Sequence, residues 1–292
     1  MKNSKLWALG LAFVLVAFGA TALAQGHGHK KEKKVGILLV AFGSSEESAQ
    51  VSFENINAKV KAAYPETPVH WAYTSSIIRA KLAKQGKMLD SPEVALAKMM
   101  EEDFTHVAVQ SLHTIGGEEY HDLRRTIGAF GMTRGFQKLI LGYPLLSTQE
   151  DMTRAVAAII ANIPPERKAD EAVVLMGHGT HHPSNAFYAA LMFQVQLRDP
   201  NVFIGTVEGY PEVDLIEELL LQKGIKKAYL MPFMAVAGDH AKNDMAGDEE
   251  DSWLSMLTKA GIECVSVMKG TAEFDNFVDI WVDHLGGPLS HF

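Results

Sequence analysis

The sequence predicts an α/β protein made of two similar lobes, each with a parallel sheet. Three observations carry this prediction. From residue 35 onward, short apolar runs bounded by turn residues alternate with longer amphipathic stretches, the pattern of βα units. Runs such as Ala172-Val173-Val174-Leu175-Met176 are apolar at successive positions, as expected of strands covered on both faces. The second half also repeats the first: residues 38–44 lie over 174–180, 71–75 over 204–208, and 109–113 over 230–234, with Gly117-Glu118-Glu119 over Gly238-Asp239-His240. Each match alone is weak, and regular βα alternation gives part of it. The shared order points to duplication.

The elements follow in chain order. Lys2 and Lys5, an apolar stretch over 6–20 and the small-residue pattern Ala22-Leu23-Ala24 predict a signal peptide over 1–24, cleaved after Ala24. The apolar stretch is short for a membrane span, so an exported, periplasmic protein with no span after cleavage is expected. Residues 25–34 make a flexible leader containing His27 and His29. The first lobe is placed at 35–165. Its strands are expected over 35–41, 69–73, 107–112 and 139–141, with helices opening at Ser44 or Ser45, at Ser75, at Ser91-Pro92 and at Thr148. Pro164-Pro165 ends it, and the second lobe follows at 166–292.

Composition narrows the function. An apolar content of 47% with 21% charged residues supports a full core. The formal charge of −8, about −10 once Lys2 and Lys5 are removed, argues against nucleic acid, which demands a basic face, and suits metal cations. Cys264 is the only cysteine, so no intrachain disulfide forms; its strand context predicts a buried, inert thiol.

The chemistry concentrates in the second lobe. Where the first lobe has Phe42, Ser75 and Glu119, the second has His178, Glu208 and His240. Each lies at or just beyond the carboxyl end of an expected strand, where open parallel sheets gather their sites. Two imidazoles and a carboxylate suit Zn²⁺, Co²⁺, Ni²⁺ or Fe²⁺ with open positions. Three satisfied polar residues at loop starts remain the alternative that spacing admits. On a helix, His240, Asp244, Asp248 and Asp251 share a face, so Asp244 and Asp248 are candidates for metal delivery, or simply a solvated acidic face.

Gly177-His178-Gly179, the run 206–214 from Thr206 through Glu208 to Asp214, and the block 230–245 that holds Val236-Ala237-Gly238-Asp239-His240 resemble the ATP-independent (class II) anaerobic sirohydrochlorin cobaltochelatases. Val40-Ala41-Phe42-Gly43-Ser44 and Gln110-Ser111-Leu112-His113 are similar to that family's amino-half motifs. The resemblance implies a ferrochelatase-like pair of Rossmann-type lobes with the tetrapyrrole in the cleft between them. It implies an enzyme that inserts Co²⁺ into sirohydrochlorin, with His178 and His240 binding metal and accepting pyrrole protons and Glu208 as acidic ligand. The acidic residues behind His240 favour it as the proton acceptor. Phe42, Leu112, Phe233 and Met234 are expected to line the flat faces of the macrocycle, and Arg79, Arg124, Arg125 and Lys242 to meet its carboxylates. Iron insertion is the nearest variant, and an exported metal or haem carrier on the same fold is the competing class. His121 stands outside the family pattern and is a candidate axial ligand for haem, which admits a homo-oligomer.

Overall fold

The computed structural model describes residues 32–292; the expected signal peptide, most of the leader, His27 and His29 lie outside the described residues. Lys33 and Lys34 are fastened: Lys33 Nζ donates to Phe292 O (2.8 Å), and the Lys34 N–H donates to Thr105 Oγ1 (2.9 Å).

The first lobe runs β1 (Val35–Ala41), α1 (Gln50–Ala63), β2 (Val69–Tyr73), α2 (Ser76–Ala83), α3 (Pro92–Glu101), β3 (His106–Ser111), α4 (Glu118–Met132), β4 (Lys138–Gly142) and α5 (Gln149–Ala161). The second runs β5 (Ala172–Gly179), α6 (Ala186–Gln196), β6 (Val202–Glu208), α7 (Val213–Gln222), β7 (Lys227–Pro232), α8 (Trp253–Lys259) and β8 (Glu263–Ser266), and the chain ends in α9 (Asp275–Ser290). Local chemistry sets the helix starts. Ser75, Ser91, Thr148 and Ser252 each accept an amide N–H at their helix amino termini, and Pro92 takes the first position of α3.

Both sheets are parallel and four-stranded, in the orders β2-β1-β3-β4 and β6-β5-β7-β8. The register repeats as well as the order. Leu38 pairs with Val109 as Val174 pairs with Leu230, and Leu39 pairs with Trp71 as Leu175 pairs with Ile204. These correspondences are the ones the sequence overlay predicts.

Both faces of each sheet are buried, which is why the strands lack polar alternation. Ile37, Leu39, Val173 and Leu175 face a core shared by the two lobes and filled by α1, α5, α6 and α9, with Trp281 fully buried in it. Leu38 and Val40 face a second core under α3 and α4; Val174 and Met176 face a third under α7 and α8. The last helix crosses the division expected at 165/166. α9 belongs to the second lobe by chain order but packs on β3 and β4 of the first. His284 on α9 fastens it there, donating from Nδ1 to Tyr143 O (3.2 Å) and pairing through Nε2 with the buried carboxylate of Asp151 (2.8 Å). Burial alone would raise the Asp151 pKa, but hydrogen bonds from His284 and Thr148 outweigh it and hold it below the ordinary value. Among the described residues no helix is long and apolar enough to cross a membrane. Cys264 is half-buried rather than fully buried, and burial pushes its thiol up to about 11, which disfavours the reactive thiolate.

Candidate metal centre

The carboxyl ends of β1 and β5 face one another across the lobes. His178 is the penultimate residue of β5, and its ring lies 6.3 Å from that of Phe42, which follows β1. Glycines flank it for specific reasons. A Cβ on Gly177 would come within 2.4 Å of the buried Tyr188 ring, and one on Gly179, at φ +81°, within 1.6 Å of the Glu208 carbonyl oxygen. The strand end can therefore lie flat on both neighbours only as Gly-His-Gly.

His240 meets His178 edge to face, ring centroids 4.7 Å apart at 89°. Their hydrogen bonds fix which nitrogen each offers. His178 Nδ1 lies 3.0 Å from Gly179 O and His240 Nδ1 lies 2.7 Å from Asp244 Oδ2. A carbonyl and a carboxylate only accept, so in both rings Nδ1 carries the hydrogen and Nε2 keeps its lone pair in the neutral form. His182 behaves oppositely. Its Nδ1 accepts the Ser184 N–H (3.1 Å) and so caps the short 3₁₀ turn Pro183–Asn185.

Glu208 does not complete a triad in this conformation. It ends β6 beside Gly179, but its backbone carbonyl faces β5 while the side chain is exposed. Among the described residues no group of three or more His, Cys, Asp and Glu side chains is arranged to hold a metal. The structure brings the two imidazoles together and leaves the acid at the next strand end.

The acidic helix face is also shorter than expected. Ala241–Met245 make a single wide π turn, which carries Asp244 back to His240. The chain then breaks away at Gly247, whose N–H bonds Asn243 O (3.0 Å) and where a Cβ would lie 2.4 Å from that oxygen. Ser252 starts a separate helix, α8, and donates to Gly247 O (2.7 Å). Asp248 and Asp251 sit exposed in this break, off the face of His240.

Of the expected lining residues, Phe42 is 40% exposed at the mouth and Met234 is half-buried. Leu112 and Phe233 are buried instead, Phe233 packing on Tyr188 and Phe277, because their side chains fall on the core-facing side of the strand ends. The Arg79 guanidinium is turned inward to Tyr73 O and Thr74 O; Arg125 pairs with Asp122 and Lys242 with Glu46 (3.1 Å), while Arg124 is exposed. His121 is half-buried on α4, 5.0 Å from the His182 ring of the other lobe.

Two supports are absent from the sequence reading. Asn185 Oδ1 accepts the Thr180 N–H (3.0 Å) while its amide donates to Tyr210 O, tying the loop after His178 to the loop after Glu208. Tyr188, whose hydroxyl burial pushes up to about 12, lies under Gly177. An Asn and a Tyr in a helical run carry no chemical signature; only the fold shows what they brace.

Two parallel-sheet lobes with paired imidazoles at their shared mouth define a chelatase architecture. The structure is similar to SirB from Bacillus subtilis with Fe³⁺ (TM-score 0.58, 14% identity, 87% of this chain and 95% of that one) and to CbiX, described as the terminal enzyme of sirohaem biosynthesis in denitrifying bacteria (TM-score 0.54, 14% identity, 86% and 98%). Residues 35–288 match the family model for cobalt chelatase (CbiK), and the chain belongs to that family. It is 46% identical over 262 residues to the sirohydrochlorin cobaltochelatase CbiKC of Nitratidesulfovibrio vulgaris, covering 90% of this chain and 93% of that protein. It is 36% identical over 259 residues to the sirohydrochlorin cobaltochelatase of Salmonella typhimurium, covering 88% and 97%.

Proposed function

We propose that this protein is a sirohydrochlorin cobaltochelatase, inserting Co²⁺ into sirohydrochlorin for cobalamin synthesis without ATP. The observation that carries the reading is the pair His178 and His240, 4.7 Å apart, each with Nδ1 engaged and Nε2 free. Sirohydrochlorin gives up two pyrrole protons as Co²⁺ passes from protein and water ligands to the ring nitrogens. Two neutral imidazoles supply both requirements, since a lone pair that binds the metal accepts a proton once the metal has left. Holding the ion at one ring face replaces a bimolecular encounter by an oriented transfer. Glu208, one strand over, joins as third ligand by swinging its exposed carboxylate toward the pair and offsets the metal charge. Phe42 and Met234 border the macrocycle at the mouth.

Fe²⁺ is the variant substrate metal that the same borderline donors accept. The protein is exported by its first 24 residues and works in the periplasm; amino-terminal sequencing of protein recovered from that compartment should begin at Gln25. His121 holds a haem through its imidazole, shared in a homo-oligomer. A Soret band in protein from the native host, lost in His121→Ala, is the expected sign.

The test of the enzyme is anaerobic mixing of protein, excess sirohydrochlorin and Co²⁺, followed through the visible bands. Turnover beyond one equivalent, lost in His178→Ala and in His240→Ala, is expected. Binding that stops at one equivalent would instead make the protein a metal carrier on a chelatase fold.

A further inference from the structure

The two histidines are not equivalent, and the difference lies behind them. His178 is backed by the carbonyl of its own neighbour, a neutral acceptor no side-chain substitution can remove. His240 is backed by a carboxylate, Asp244, at 2.7 Å and four residues on. In the duplicated register the position of Asp244 in the first lobe is Leu123, a buried residue of the regular helix α4. In the second lobe the helix is replaced by the π turn, whose wider i→i+5 bonding re-aims the residues around it; Gly247 then lets the chain leave directly. A local backbone irregularity thus ends with one carboxylate on one imidazole, while the remaining acids of the run stay in solvent.

We infer that Asp244 is a positioning residue for the insertion reaction: it locks the His240 ring beside His178 with Nε2 unprotonated, and makes His240 the stronger metal donor of the pair. The inference rests on the chelatase reading of the site and adds a division of labour to it. A charge-assisted bond to Nδ1–H raises the electron density at Nε2 and fixes the ring plane, which a neutral carbonyl does less. In this division of labour the acid behind His240 acts through the ring.

The test compares Asp244→Asn, Asp244→Ala and the control Glu250→Gln in the full-length protein. Asn is close in shape, but its amide can offer NH₂ to Nδ1 and so stabilise the other tautomer, whereas Ala frees the ring. The control removes one charge from the same acidic stretch at an exposed residue. Because the Asp244 side chain is 44% exposed, both variants should fold, which circular dichroism checks. Titration with Co²⁺ alone should show affinity weakened about ten- to a hundredfold in both Asp244 variants and unchanged in Glu250→Gln. Nitrogen NMR of ¹⁵N-histidine protein should show the unprotonated nitrogen of His240 move from Nε2 to a mixture of both positions, and kcat should fall with the KM for sirohydrochlorin held. Wild-type affinity and tautomer in Asp244→Asn would overturn the inference. If His240→Ala itself bound Co²⁺ like the wild type, the site reading would fall instead, so the two failures are distinguishable.

Discussion

The two lobes share a strand order and a register and differ at the ends of three strands. Where the second carries His178, Glu208 and His240, the first carries Phe42, Ser75 and Glu119. Phe42 packs its ring toward His178, Ser75 caps α2, and Glu119 stands exposed in the first turn of α4. The seam between the lobes shows the same divergence. Gly238 of the second lobe packs on Ser44 of the first, and its counterpart Gly117 packs on Thr180, the counterpart of Ser44. Two residues beyond Ser44 and four beyond Gly238 the seam holds the ion pair Lys242–Glu46, and at the matching positions beyond Thr180 and Gly117 it holds the imidazoles His182 and His121. The positions persist while the chemistry at them has been replaced. Scaffold geometry therefore predicts where side chains meet, and only the residue types say what the meeting does.

The sharpest way to break this likeness is at a matched pair of glycines, Gly43 and Gly179, both with positive φ. A Cβ on Gly43 would find its nearest neighbour, Ile78, at 3.3 Å, so Gly43→Ala pays mainly for the backbone conformation, about 1–2 kcal/mol. A Cβ on Gly179 would meet the Glu208 carbonyl at 1.6 Å, and backbone cannot yield as a side chain can. Gly179→Ala should therefore cost about 4 kcal/mol and separate β5 from β6 beside His178, measured by urea unfolding of the two variants side by side. Equal losses would mean that the second lobe is no tighter than the first.

A smaller effect is expected where the first lobe holds His113 and the second Met234. His113 Nδ1 meets Ser111 Oγ (2.8 Å) and its Nε2 is buried without a partner. Burial pushes its pKa down to about 4, below the 6.5 of the free side chain. Stability linked to it is complete above pH ~6.5 and is lost as the pH falls toward 4, because the unfolded chain takes up the proton first. Chemical unfolding at pH 7 and at pH 4.5 should differ by roughly 2 kcal/mol more in the wild type than in His113→Met. The same pH dependence in both proteins would remove His113 from the account.

Much of this organisation was legible in the sequence, for identifiable reasons. Strands such as 172–176 declare themselves because burial on both faces makes them apolar throughout, and the duplication shows because the strand ends keep their glycines and hydroxyls in step. His178 and His240 were legible as residues that break the repeat. Three things were hidden. The acidic run from His240 to Asp251 has helical spacing, but a single crowded position, Gly247, ends the helix, and spacing does not report where backbone must turn. Leu112 and Phe233 sit at strand ends yet point into the core, since a strand's two faces differ by one residue and both are apolar here. The path of α9 back to the first lobe depends on long-range contacts such as His284 with Asp151, which leave no local signal.

The smallest expected effect separates fold from function at one matched position. Ser75 and Glu208 occupy equivalent places after β2 and at the end of β6. Ser75 Oγ accepts the Ile78 N–H at 3.3 Å and is buried, so Ser75→Ala should lower stability by about 1 kcal/mol through the lost cap and leave Co²⁺ binding unchanged. Glu208→Gln keeps the size of an exposed side chain and should leave stability within about 0.5 kcal/mol of the wild type while weakening Co²⁺ binding. Thermal unfolding and Co²⁺ titration on both variants read the two axes independently. If Ser75→Ala disturbed the metal, the first lobe would be shaping the donor set across the cleft; if Glu208→Gln left it untouched, the pair of imidazoles would hold the ion with water alone.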